Sequence, residues 1–213
     1  PLRDLFPSVT LHAGTALAPT ENLLGSCGGF YDASRSDGSS FLSVVSFDMA
    51  VDESDLGQLF SSSTIVSAPG AVYASDKALY VAVPEGVSSS SYGYSSQGAV
   101  KPWSSIHKFA IDAATARVSY AGSGAVKGRA LNQFAMDERD GFLRIATTTG
   151  RVPSPDVHST LTVLGQRGSA LERVGMIDGL APKEDIRSVR FDGSRGYVVT
   201  FKKTDPLFVF DLA

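Results

Sequence analysis

From Ser43 to the last residues, apolar positions fall in short runs broken by Gly, Asp, Ser and Pro. Three stretches share one plan: AVYASDKALYVAV (71–83), LNQFAMDERDGFLRIATT (131–148) and IRSVRFDGSRGYVVTF (186–201). Each has an alternating run, a short turn containing Asp, and a second run that is more continuously apolar. That is the pattern of a β-hairpin whose second strand is buried on both faces. A further apolar run follows each hairpin: SIHKFAID (105–112), TLTVLGQ (160–166) and PLFVFDL (206–212). A fourth copy, SVVSFDM (43–49), precedes the first hairpin. Phe47, Phe109, Leu164 and Phe210 occupy equivalent places, 62, 55 and 46 residues apart. Outer runs come next, RVSYAGSG (117–124) and ALERVGMI (170–177). Helix signals are confined to DESDLGQLF (52–60) and the first few residues.

Four short strands per unit, repeated at this spacing, predict an all-β β-propeller with about three to four four-stranded antiparallel blades. A β-sandwich also strings short strands together. The matching order of hairpin, third strand and outer strand favours the propeller. On this reading AVYAS, LNQFAM and IRSVRF line the axis, with Phe134 and Phe191 buried between blades. Residues 1–42 form an N-terminal segment and partial blade, and 43–213 form the blades. The last run ends a third strand with no outer strand behind it. The expectation is part of a larger ring, completed by the remainder of a longer chain, by self-association, or by the segment PLRDLFPSVTLHAG folding back.

The strings NQFAMDERDGFLRIATT, IHKFAID, VYASDKALYVAV and DIRSVRFDGSRGYVVTFKKTDPLFVFDL resemble a bacterial and archaeal family of secreted β-propeller proteins, distantly related to WD-repeat propellers. The resemblance runs from about Ser43 to Leu212. It implies an exported or lipid-anchored protein, in the secreted or cell-envelope compartment, and a domain longer than this chain. It transfers no catalytic residues.

Composition narrows function mainly by exclusion. The 213 residues carry a formal net charge of −3, with Lys and Arg scattered, so nothing points to nucleic acid. No apolar stretch reaches the roughly 20 residues of a membrane-spanning helix. Cys27 stands alone, which excludes an internal disulfide and multi-thiolate zinc sites and leaves a free thiol or an inert buried residue. The segment VSSSSYGYSSQG (87–98) reads as a surface loop.

The candidate chemistry is sparse. Asp137, Glu138 and Asp140 resemble a cation loop, but the spacing of a calcium-binding hairpin is missing, and turn preference explains a corner here. The inner strands then carry no acidic pair for hydrolysis. His12, His107 and His158 lie far apart. No nucleophile elbow occurs, and GSGAVKG (122–128) reads as a connection between blades rather than a phosphate loop. No metal, cofactor or catalytic residue is expected. The longer loops gather on one face of a propeller. They carry Tyr92, Trp103, Lys127, Arg129, Arg151, Lys202, Lys203 and Asp205, aromatic and charged side chains suited to a protein or glycan ligand. The functional expectation is a binding or scaffold module; the alternative is a propeller-type hydrolase of glycans or peptides.

Overall fold

A computed structural model describes residues 29–35, 40–49, 60–85, 103–200 and 207–213, and the backbone of four two-residue strands before them. Those four pair as β1 (Ser8–Val9) with β4 (Glu21–Asn22) and β2 (His12–Ala13) with β3 (Ala16–Leu17). A hairpin follows, β5 (Phe41–Phe47) against β6 (Phe60–Val66). Next comes an antiparallel run of β7 (Ala71–Ala74), β8 (Ala78–Pro84), β9 (Trp103–Asp112) and β10 (Arg117–Lys127). After the short β11 (Arg129–Ala130), the plan repeats in β12 (Met136–Arg139), β13 (Phe142–Thr149), β14 (His158–Arg167) and β15 (Ala170–Leu180). A third unit has three strands, β16 (Ile186–Asp192), β17 (Arg195–Thr200) and β18 (Leu207–Asp211). Among the described residues there is no α-helix and no helix long and apolar enough to cross a membrane.

The near-continuous apolar runs are explained by burial on both faces. In β8, Ala78, Tyr80 and Ala82 pack with Ile145 and Leu164 of the second four-strand unit. The intervening Val81 and Val83 pack with Ile65, Leu42 and Val44 of the β5–β6 hairpin. The second unit does the same: Leu143 and Ile145 face the first unit, while Ala146 and Leu161 face Val189 and Val198 of the third. Hairpin and units therefore stack face to face, each sheet sharing its core with its neighbours. The strand β6, FSSSTIV, was not among the expected runs; its first residue, Phe60, ends the stretch 52–60 that carried a helix signal, and the rest of that stretch lies outside the described residues. Ser43 and Thr64 hydrogen-bond across the pair, and Ser63 donates to the Val118 carbonyl oxygen of β10.

Two expectations about the second hairpin are corrected. LNQFAM is not an axis-lining strand. Residues Gln133–Ala135 form a 3-10 turn capped by Asn132, whose side chain accepts the Phe134 N–H at 3.0 Å, and the strand begins at Met136. Phe134 is consequently 49% exposed, with the Arg190 guanidinium 4.1 Å from its ring centre, rather than buried. Phe191 is partly buried against the core between the second and third units. The turn itself is only Asp140–Gly141, with φ of 53° and 82°. A two-residue Asp-Gly loop of that conformation matches the twist of the flanking strands. Asp137 and Glu138 are therefore strand residues.

The outer strands β10 and β15 meet in parallel at Ser123/Ala170 and Gly124/Leu171, so GSGAVKG is mostly strand rather than connection. A Cβ on Gly124 would overlap the carbonyl oxygen of Leu171. Gly124→Val is expected to lower stability by about 1–3 kcal/mol in urea unfolding, as overpacked sites do. A variant as stable as the parent would mean that these strands do not meet.

Candidate functional site

On β12, neighbouring side chains point to opposite faces, and the two acidic ones are drawn to different units. Glu138 faces the first unit, its side chain 6% exposed. The Tyr80 hydroxyl donates to it at 3.0 Å, the Ser75 hydroxyl donates to its other oxygen, and Lys108 Nζ lies at 3.7 Å. Its backbone N–H donates to Tyr73 Oη at 3.0 Å. Burial, and then the Glu138 charge, push the Tyr80 phenol far above its ordinary pKa, so it remains a donor. Asp137 faces the third unit. Arg144 donates to it through Nε at 2.9 Å and also through Nη2. Arg144 Nη1 donates to the Gly193 carbonyl oxygen at 2.8 Å, and its guanidinium lies over Phe191.

The inner strands thus do carry two carboxylates, contrary to the corner expectation. They are not a catalytic pair, since each is engaged on its own face: Glu138 by side chains of the first unit, and Asp137 by Arg144 of its own sheet, which in turn reaches Gly193 of the third unit. Beside them, the inner strands β7, β12 and β16 and the 3-10 turn border an open pocket of about 320 Å³, with Tyr73, Phe134, Asp137 and Arg190 on its walls. Among the described residues no group of three His, Cys, Asp or Glu side chains converges as metal ligands would. His107 is fully buried, between Ser67 and Tyr120.

A second pocket lies where the outer strands part. Beyond Gly124 and Leu171, β10 and β15 diverge and leave a cleft of about 260 Å³, lined by Trp103, Val126, Lys127, Thr162, Arg173 and Met176. Trp103 opens β9 and is 44% exposed. Lys127 Nζ pairs with Asp178 Oδ2 at 2.6 Å, and Thr160 donates to Asp178 Oδ1 at 2.7 Å. His158 Nδ1 sits 2.7 Å from the Asp156 carbonyl oxygen, and its Nε2 is 3.3 Å from Asp178 Oδ1. Thr162 is 1% exposed, and its Oγ1 has no hydrogen-bond partner.

The Lys127 hydrogen bond, and next that of Thr160, hold the Asp178 carboxyl well below the usual carboxylate range. A depressed folded-state pKa adds stability that is complete above the unfolded value of about 3.9 and is lost as pH falls below it. Partial exposure keeps that contribution small. Lys127→Met is expected to move the Asp178 titration midpoint upward in a carboxyl NMR titration. An unchanged midpoint would show that the ion pair does not form.

Of the eight expected site residues, Trp103 and Lys127 come together in this cleft. Arg129 is exposed on β11, two positions past Lys127, and Arg151 is exposed in the connection after β13; neither lines the cleft. Tyr92, Lys202, Lys203 and Asp205 lie outside the described residues, as does Cys27. Thr160, Thr162, Arg173, Met176 and Asp178 were not anticipated. The alternation Thr160, Thr162 is visible in the text of β14, but only its register against β15 and the stacking on β10 turn those residues toward Trp103.

A family model described as a beta propeller domain matches residues 1–213. An uncharacterised protein of Archaeoglobus fulgidus is 46% identical over 92 residues, 43% of this chain and 14% of that protein. An uncharacterised protein of Methanocaldococcus jannaschii is 47% identical over 91 residues, 42% of this chain and 14% of that protein. The chain therefore aligns to about one seventh of the length of these relatives. No solved structure matches it.

Proposed function

Since the chain belongs to the family of beta propeller domains, we propose that it is a binding or scaffold module of a secreted or cell-envelope protein, with a protein or glycan as its ligand. The stacked units are then blades. The two four-strand units are complete, β16–β18 is a blade without its outer strand, and β5–β6 supplies the third and outer strands of the blade before. Leu207 and Val209 are exposed on β18, as a blade surface is where a neighbour is to stack. Further blades of a longer chain, or a second copy, would cover them.

The observation that carries the binding reading is the cleft between outer strands, where an exposed indole and two cationic side chains converge. Aromatic and Arg side chains in a recess are the usual anchors of recognition. The hydrolase alternative is not favoured, because Asp137 and Glu138 point to opposite faces and both are already paired.

Trp103 is the only tryptophan, so its emission reports on the cleft directly. Screening against peptide and glycan panels is expected to give saturable changes in Trp103 emission, and Trp103→Ala should abolish binding measured by calorimetry. Binding that survives Trp103→Ala would put the ligand face elsewhere.

A further inference from the structure

We infer that the cleft between β10 and β15 receives a single carboxylate-bearing sugar ring, a hexuronate residue of an acidic glycan. This rests on the binding-module reading and names its ligand. The cleft is shut at one end by the parallel bridges at Ser123 and Gly124 and is open at the other, beside Trp103. At about 260 Å³ it is smaller than the roughly 300–1,000 Å³ of sites that engulf drug-sized molecules, so it admits one ring at a time.

Its charge selects a monoanion. Lys127 is neutralised by Asp178. Arg173 is exposed, and among the described residues its only hydrogen-bond contact is Met176 Sδ at 3.5 Å. One uncompensated guanidinium remains, and its planar fork suits a carboxylate. At the rim, the flat indole of Trp103 offers an apolar surface to the C–H face of a pyranose. A uronate ring carries both complements: a carboxylate and an apolar face. A peptide C-terminus fits less well, because such carboxylates are usually held in nests of backbone N–H groups, and the polar atoms named here are side-chain ones.

The test uses Trp103 emission and calorimetry on the whole chain. The probes are trigalacturonate, its methyl ester, a neutral cello-oligosaccharide, and a short peptide with a free C-terminus. Trigalacturonate is expected to bind saturably, with a loss of about tenfold or more on esterification, as removal of a charge-assisted hydrogen bond implies. Arg173→Met should bring a comparable loss and Arg173→Lys a partial one. Equal affinity for acid and ester, or indifference to Arg173→Met, overturns the inference. Binding of the neutral glycan or peptide in place of trigalacturonate overturns it while sparing the binding-module reading. If no probe binds, and wider panels also leave Trp103 unmoved, both readings fail.

Discussion

Replacing Glu138 with Ala is expected to cost about 3–5 kcal/mol of folding stability, the range for breaking a buried ion pair by removing one partner. The carboxylate holds the Tyr80 and Ser75 hydroxyls and lies 3.7 Å from Lys108 Nζ, all on the first unit, while Glu138 itself belongs to the second. Truncation leaves the Lys108 ammonium, only 11% exposed, without its counter-charge, and the Tyr80 hydroxyl without its acceptor. Guanidinium unfolding followed by circular dichroism measures the loss. The paired change Glu138→Leu with Lys108→Met should recover only part of it, because it removes the unpaired ammonium but leaves the Tyr80 and Ser75 hydroxyls without their acceptor. A single-variant loss under about 1 kcal/mol is what an exposed turn residue would give, and it would mean that the network does not fasten the two units.

The second large effect is expected at Phe109. Its side chain is fully buried in the core that the first unit shares with the β5–β6 hairpin, edge-on to Tyr120 with ring centres 5.3 Å apart. Phe109→Ala should cost about 3–5 kcal/mol, the transfer term of the lost ring plus the cavity it leaves. Phe134→Ala should cost less than about 1 kcal/mol, since the residue is 49% exposed and the Arg190 guanidinium beside its ring keeps its own hydrogen bond to the Val189 carbonyl oxygen. Chemical unfolding of the two variants side by side checks the order. A larger loss at Phe134 than at Phe109 would reverse the placement of both strands.

The contrast between these two phenylalanines shows where sequence reasoning holds. Phe109 sits in a run with the length, apolar content and spacing of a third strand, and that strand forms. Phe134 sits in an equally apolar text, NQFAM, but Asn132 caps a 3-10 turn there and the strand starts at Met136. A local capping hydrogen bond competes with extended pairing over those few residues. The error then carries into DERD. Reading the strand as finished by Met136 leaves Asp137 and Glu138 in a corner. The Asp140–Gly141 turn needs only two residues and returns both carboxylates to the ladder.

By itself the sequence determined the all-β character, the repeated order of strands, the presence of the hairpins and which strands are buried on both faces. Those features are local: they follow from the period-two alternation, from Asp-Gly conformational preference, and from runs too apolar to face water. It named Trp103 and Lys127 only as two of eight candidates on loops, whereas they pair across β9 and β10. Tertiary structure alone decided what the charged residues do. Asp137 and Glu138 are adjacent in the chain yet serve opposite interfaces, and Glu138 finds Lys108 and Tyr80 only when two units stack. The serines of β6 become strand residues only when Ser61 hydrogen-bonds Ser46 of β5 and Ser63 donates to the Val118 carbonyl oxygen of β10. The cleft at Trp103 exists because Gly124 lets two outer strands touch before they diverge, turning Thr162 and Arg173 of one unit toward Trp103 of another. Side-chain partners this far apart in the chain leave no periodic trace, since their meeting depends on register and stacking rather than on spacing.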